Sequence, residues 1–290
     1  MQRVPNPPKL PVPGMDAQSR RQSKVRSTAV AAIAISLLSS FAPAREPGSA
    51  AVSFAVHGAA GSRAGVIAEH AEEMRREVFG LLLGVEQPQA WRVRCEIHVH
   101  PTPAAFAAAL GSPPTDARGA TSIEFSGNDV VLRRIDVVGD GDDAVPDALD
   151  HELVHVVLAD HFVQGPPPRW ADEGLAILFD GPAKQRAHEA DFLEARRRGL
   201  AWKAAELVAI EDYPHDSRRQ QVFYGQSAAL VRWLVARGDA ATFIRFLDDE
   251  AVHGIERALA RHYELSVDSL TTAWKEVAPI SSLGLADRRR

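Results

Sequence analysis

One cysteine, Cys95, stands in 290 residues, and a lone thiol has no partner for an intramolecular disulfide. Covalent cross-linking is therefore excluded as a source of stability, and Cys95 reads as a small buried hydrophobe. No internal repeat is visible, which excludes a solenoid or propeller. Long apolar runs are missing too: the longest, from about Ala29 to Phe41, is too short for a comfortable membrane span. Methionine is limited to Met1, Met15 and Met74, so nothing after residue 74 can build a methionine turn.

Basic surplus is confined to the N-terminus. Residues 1–44 hold six Lys/Arg (Arg3, Lys9, Arg20, Arg21, Lys24, Arg26) and one acid, Asp16, so their +5 leaves −10 for the remainder of a chain that totals −5. So acidic a remainder is a poor partner for nucleic acid or an anionic membrane. The leader places Arg20, Arg21, Lys24 and Arg26 before the apolar run, and Ala42-Pro43-Ala44 after it. That order is the charged region, apolar region and small-residue cut site of a secretory signal, with an uncleaved anchor as the alternative. The expected location is exported, periplasmic or secreted.

What remains is long enough for a sizeable core, as one domain or two lobes. Residues 45–145 mix strand and helix signals. Val52–His57 alternates as a strand, Ala59–Leu83 carries a helical pattern, and Trp91–Val99 alternates again. In that last run Val93, Cys95, Ile97 and Val99 share one side, with Arg94, Glu96, His98 and His100 on the other. His98 and His100 form a His-x-His pair that suits a metal, but the sequence offers no third ligand beside them, and a solvated strand face is the simpler reading. Pro101-Thr102-Pro103 starts a short Ala-rich helix. Thr121–Phe125 and Val130–Val138 are strands joined by Ser126-Gly127-Asn128-Asp129, which has hairpin turn chemistry. The acidic stretch Gly139–Asp143 lacks the spaced ligands of a calcium loop and reads as a solvated linker.

The chemistry is concentrated in two short stretches, Asp150-His151-Glu152-Leu153-Val154-His155 and Arg169-Trp170-Ala171-Asp172-Glu173-Gly174-Leu175-Ala176. On a helix predicted from about Pro146 to His161, His151 and His155 are one turn apart on one face, with Glu152 about 100° round from His151. Zinc takes imidazole nitrogen and carboxylate oxygen, and a catalytic site commonly has three protein ligands plus a water. Glu173, eighteen positions after His155 on a second helix (Arg169 or Trp170 to Phe179), is the candidate third ligand. The Gln164–Pro168 segment separates the helices, since its three prolines cannot continue either. Asp147 and Asp150 suit either of two roles, orienting a ligand imidazole or supplying first-turn charge against the macrodipole. Asp180, seven residues past Glu173, is a further candidate to support a ligand.

These two stretches resemble the gluzincin branch of the zinc metallopeptidases, in which H-E-x-x-H lies on one helix and a glutamate from the next, often in W-x-x-E-G-x-A, completes the metal site. The resemblance is specific at His151–His155 and Trp170–Ala176. It implies an α+β fold of thermolysin type, with a mixed N-terminal lobe (45–145), a mostly helical lobe (146–290) and the zinc site between them. It also implies metal ligation by His151, His155 and Glu173, with Glu152 as general base. The function implied is an exported zinc-dependent metallopeptidase acting on a peptide or protein substrate, with endopeptidase activity favoured over aminopeptidase. Val222-Phe223-Tyr224-Gly225-Gln226-Ser227 is similar to the aminopeptidase stretch in which Y-x-x-G opens a helix and the tyrosine faces the zinc, although Ser227 stands where that stretch has Gly. Tyr224 is thus a candidate oxyanion donor, with His215 as runner-up. The metzincins place a third histidine where His161 stands, but they require Gly where this chain has Leu158 and a later methionine turn that it lacks. Thr121–Phe125 is a candidate edge for an extended peptide. A non-catalytic, zinc-holding or peptide-binding protein on the same fold is the alternative. Further helices are predicted at about 183–198, 226–237, 240–247, 254–262 and 267–277.

Overall fold

A computed structural model describes residues 53–112, 116–139 and 144–275. The leader and most of the acidic stretch Gly139–Asp143 lie outside the described residues. The chain is mixed α and β, with all strands of the described residues before residue 139. Strand β1 (Phe54–His57) leads into helix α1 (Ser62–Leu83), then β2 (Cys95–His100), α2 (Pro103–Ala109), β3 (Gly119–Ser126) and β4 (Asp129–Val138). Eight further helices follow among the described residues: α3 (Leu149–His161), α4 (Arg169–Phe179), α5 (Pro182–Arg197), α6 (Ala204–Val208), α7 (Ser217–Arg237), α8 (Ala240–His253), α9 (Ile255–Tyr263) and α10 (Val267–Lys275).

The strands form one sheet in the order β1-β2-β4-β3. β1 and β4 run parallel to β2, whereas β3 and β4 form the antiparallel hairpin that Gly127 and Asn128 close. Gly127 takes φ 62°, a left-handed conformation that glycine adopts without a Cβ penalty. Alternation sorts the two faces. Cys95, Ile97, Val99, Thr121, Ile135 and Val137 are buried on the inner face, against which α1 and α3 pack. Glu96, His98 and His100 point to the outer face, where α2 packs Phe106 against His100, Ala120 and Val138. β3 is an edge strand, as its sequence suggested, and no other strand pairs with its free side among the described residues.

One hydrophobic cluster runs from the sheet through α3 and α4 into α7 and α8. α3 contributes Leu149, Leu153, Val154, Val156 and Val157, all with no exposure, so the metal-motif helix is anchored by apolar contacts on several sides. Trp170 on α4 is equally buried and packs its ring against Phe243 and Phe246 of α8. α4 and α7 approach closely because Gly174 has no side chain: a Cβ there would lie 2.4 Å from Val231 Cγ2 and 2.7 Å from the Ser227 carbonyl oxygen. No described helix is long and apolar enough to cross a membrane.

Several boundaries differ from the sequence reading, among them α8, which runs to His253 rather than 247, and the unexpected α6; two helix starts bear on the site. α3 begins at Leu149 rather than Pro146, because Pro146–Ala148 form the turn whose carbonyl at Pro146 accepts from Leu149 N–H. α7 begins at Ser217, nine residues before the predicted start, with Asp216 as an N-cap accepting from the Arg219 N–H at 2.8 Å. Gly225 therefore sits inside the helix. It is tolerated there because a Cβ would lie 2.2 Å from the His188 carbonyl oxygen of α5.

Candidate metal centre

α3 places His151 and His155 one turn apart with their rings 5.0 Å apart, edge to face. α4 brings Glu173 between them. Its Oε2 lies 3.4 Å from His151 Nε2 and 4.0 Å from His155 Nε2, and the three ligand atoms all fall within 4.8 Å of one another. Tetrahedral zinc with bonds of about 2.0–2.1 Å spaces its ligand atoms by about 3.3 Å, so only a small contraction separates this triangle from a coordination face.

The atoms pointing away from that triangle are occupied. His155 Nδ1 lies 2.9 Å from Asp172 Oδ1, and His151 Nδ1 lies 3.3 Å from Asp180 Oδ2. Each imidazole is thereby fixed at Nδ1 and presents Nε2 inward, which is how metal-bound histidines are held. Lys184, one turn along on α5, in turn donates to Asp180 at 2.7 Å. The Glu173 oxygen not facing the imidazoles accepts a short hydrogen bond from the Tyr213 hydroxyl. Asp180, the carboxylate favoured from sequence, contacts the His151 ring; Asp172, on His155, stood in the motif but was not singled out for that role. Asp150 supports neither ring: its first-turn position sends it across to His70 of α1, away from the ligand face.

The site gathers opposite charges in a buried setting. Burial by itself would lower the His151 pKa, but hydrogen bonds to Asp180 and Glu173 and the Asp180 charge overcome it and lift the pKa to about 10. For His155 the same opposition of burial by Asp172 and Glu173 ends at about 9. Burial would raise Glu173, yet its His151 hydrogen bond, the two imidazolium charges and the Tyr213 hydroxyl bring it down to about 2. Two protons therefore stand in for cationic charge among three carboxylates. A divalent cation would replace them with the same total charge.

Glu152 is buried beside the triangle, and its Oε2 accepts from the Thr121 hydroxyl at 2.7 Å. β3 passes so close that a Cβ on Gly119 would lie 2.5 Å from Glu152 Oε1. A cleft of about 290 Å³ opens here, with Gly119, His151, Glu152, Lys184, His188 and Tyr224 in its wall. Tyr224 thus reaches the site, from the interior of α7 rather than from a helix start. Burial, with the Glu173 and Glu152 charges, pushes its hydroxyl pKa far up. His215 is exposed and is not in that wall.

Sequence reasoning passed over three neighbours. Tyr213 was visible only as part of a loop, Thr121 only as a strand residue, and His188 carried no motif. His188 is on α5, its ring 6.0 Å from Tyr224 and its Nδ1 buried without a hydrogen-bond partner. No local pattern announces any of them, since each reaches the site through tertiary contact. His161, the alternative ligand, points to Asp248 at 2.9 Å and takes no part. Glu124 is exposed on the hairpin. His98, by contrast, does have ligand-type neighbours: His57 from β1 stacks on it at 4.8 Å, beside Glu96. The His98–His100 pair itself is not brought to one point: His100 turns to Asp136 at 2.7 Å, and the group that forms instead is His98 with Glu96 and with His57 from the adjacent strand.

No family model matches this chain, and a search of curated proteins finds no match either.

Proposed function

We propose that this chain is an exported zinc-dependent metallopeptidase of gluzincin type, with a thermolysin-like division into a sheet lobe and a helical lobe. The observation carrying the reading is the convergence of His151 Nε2, His155 Nε2 and Glu173 Oε2 while each imidazole is held at its other nitrogen by a carboxylate. Two nitrogens and one oxygen with open space beside them suit zinc with a vacant position, and softer sulfur-seeking ions have nothing to bind. Bound there, zinc would supply Lewis acidity and acidify water at neutral pH.

The chain's own groups do the rest. Glu152, oriented by Thr121, takes the proton of the attacking water and delivers it to the departing amine. Tyr224 keeps its proton at neutral pH and is a donor for the oxygen that gains charge. An extended peptide would add along the free edge of β3, which brings its backbone past Glu152 at Gly119.

The test is Glu152→Gln in the zinc-loaded full chain, assayed on an unfolded protein. The variant is expected to keep stoichiometric zinc and to lose hydrolysis. Equal cleavage by variant and wild type would overturn the assignment of Glu152. A wild type that holds zinc but cleaves nothing across a broad peptide library would overturn the peptidase reading.

A further inference from the structure

The outer face of the sheet carries a second set of ligand-type side chains. His57 ends β1, an edge strand, and pairs in register with His98 on β2; Glu96 is two residues earlier on β2 and shares that face. The two imidazoles stack at 4.8 Å with their planes 22° apart. His57 Nε2 contacts the Glu96 carboxylate, and one donor atom from each of the three residues lies within 4.8 Å of the other two. Parallel register fixes this arrangement, because paired residues on neighbouring strands place their Cβ atoms on the same side about 5 Å apart.

We infer that His57, Glu96 and His98 form a second, exchangeable site for a borderline transition-metal ion, on the opposite face of the sheet from the His151–His155–Glu173 centre. The donor chemistry is two imidazoles and a carboxylate, which suits Zn2+, Cu2+ or Ni2+ rather than Ca2+ or Mg2+. Half-exposed His57 and Glu96 leave the remaining coordination positions to water, so the ion exchanges freely. Copper binds most tightly of the three, following the general order of divalent affinities. Arg134, a neighbouring cation, has its guanidinium on Asp136 at 2.7 and 2.8 Å. Since β2 is the only strand hydrogen-bonded to β1 among the described residues, an ion held by His57 and by two β2 residues would pin the edge strand to the sheet. The site is independent of the peptidase reading.

The experiment is a Zn2+ and Cu2+ titration of the chelator-stripped full chain, read by calorimetry and by the nitrogen hyperfine pattern of bound Cu2+. Wild type is expected to take up two ions. His155→Ala, which disables the other centre, keeps this site and shows Cu2+ on two imidazoles. His57→Ala and His98→Ala each weaken uptake here by at least about a hundredfold, since removing a ligand costs more than the 10–100-fold typical of its supporting partners. Both residues sit on a partly exposed face, and circular dichroism checks that the variants fold. A His155→Ala variant that takes up no ion, or a second ion in wild type unaffected by either substitution, overturns the inference.

Discussion

Asp172 Oδ1 lies 2.9 Å from His155 Nδ1, and Asp172 immediately precedes Glu173, so one turn of α4 both approaches the metal triangle and orients one of its imidazoles. Position 172 is therefore coupled to position 173 through His155. Asp172→Ala is expected to leave the fold intact and to weaken zinc binding about 10–100-fold, measured by competition with a chromogenic chelator. Unchanged affinity would show that His155 is held by packing alone.

The protons on the metal-free centre give a pH signature. His151 and His155 have folded pKa values near 10 and 9, above the ordinary 6.5, so their contribution to stability is complete below about pH 6.5. It is lost as pH rises through 9 and 10. Glu173 is depressed from 4.5 to about 2, so its contribution is present above 4.5 and lost only as pH falls through about 2. Thermal unfolding of the metal-free chain should therefore show a falling Tm from pH 6.5 to 10, which saturating zinc abolishes. At pH 7.5 zinc uptake should also release close to two protons, visible in calorimetry as a dependence on the buffer's ionisation heat.

Thr121 separates orientation from ligation. Its hydroxyl lies 2.7 Å from a Glu152 carboxylate oxygen and 3.2 Å from the Glu152 carbonyl oxygen, and neither hydrogen bond reaches His151, His155 or Glu173. Thr121→Val keeps the shape, removes the hydrogen bond, and is expected to lower kcat by about tenfold, part of what a general base contributes. Zinc content and KM should not move. A loss of zinc instead would assign Thr121 to the metal centre's support.

Close packing of α4 on α7 explains why glycine follows Glu173. A methyl group there meets Val231 Cγ2 and the Ser227 carbonyl, and backbone cannot give way cheaply. Gly174→Ala is expected to force α4 and α7 apart at a cost of about 1–3 kcal/mol, read as a lower denaturant midpoint. Zinc affinity should fall with it, because Glu173 rides on α4.

The elements closest to the chemistry were legible from local pattern. Helical spacing set His151 and His155 on one face, and the prolines 166–168 defined where α4 starts. The alternation of Cys95, Ile97 and Val99 located an inner sheet face, and Ser126–Asp129 located a hairpin. Contacts between distant segments were not legible. Tyr213 reaches Glu173 across 40 residues and Thr121 reaches Glu152 across 31. The pairing of His57 with His98 depends on β1 and β2 running parallel, a register that neither strand's own residues encode. The start of α7 was misplaced because the resemblance at Tyr224–Ser227 put a helix opening there, beside Gly225. It is a helix-interior glycine demanded by the close approach of α5.

The central claim is that two residues of α3 and one of α4 share a single divalent ion, and anomalous diffraction at the zinc edge from crystals of the zinc-loaded chain tests it most directly. The account predicts a peak about 2.0–2.2 Å from His151 Nε2, His155 Nε2 and a Glu173 oxygen. A loaded crystal with no peak at that triangle, or with a peak there that Glu173 does not touch, would contradict it.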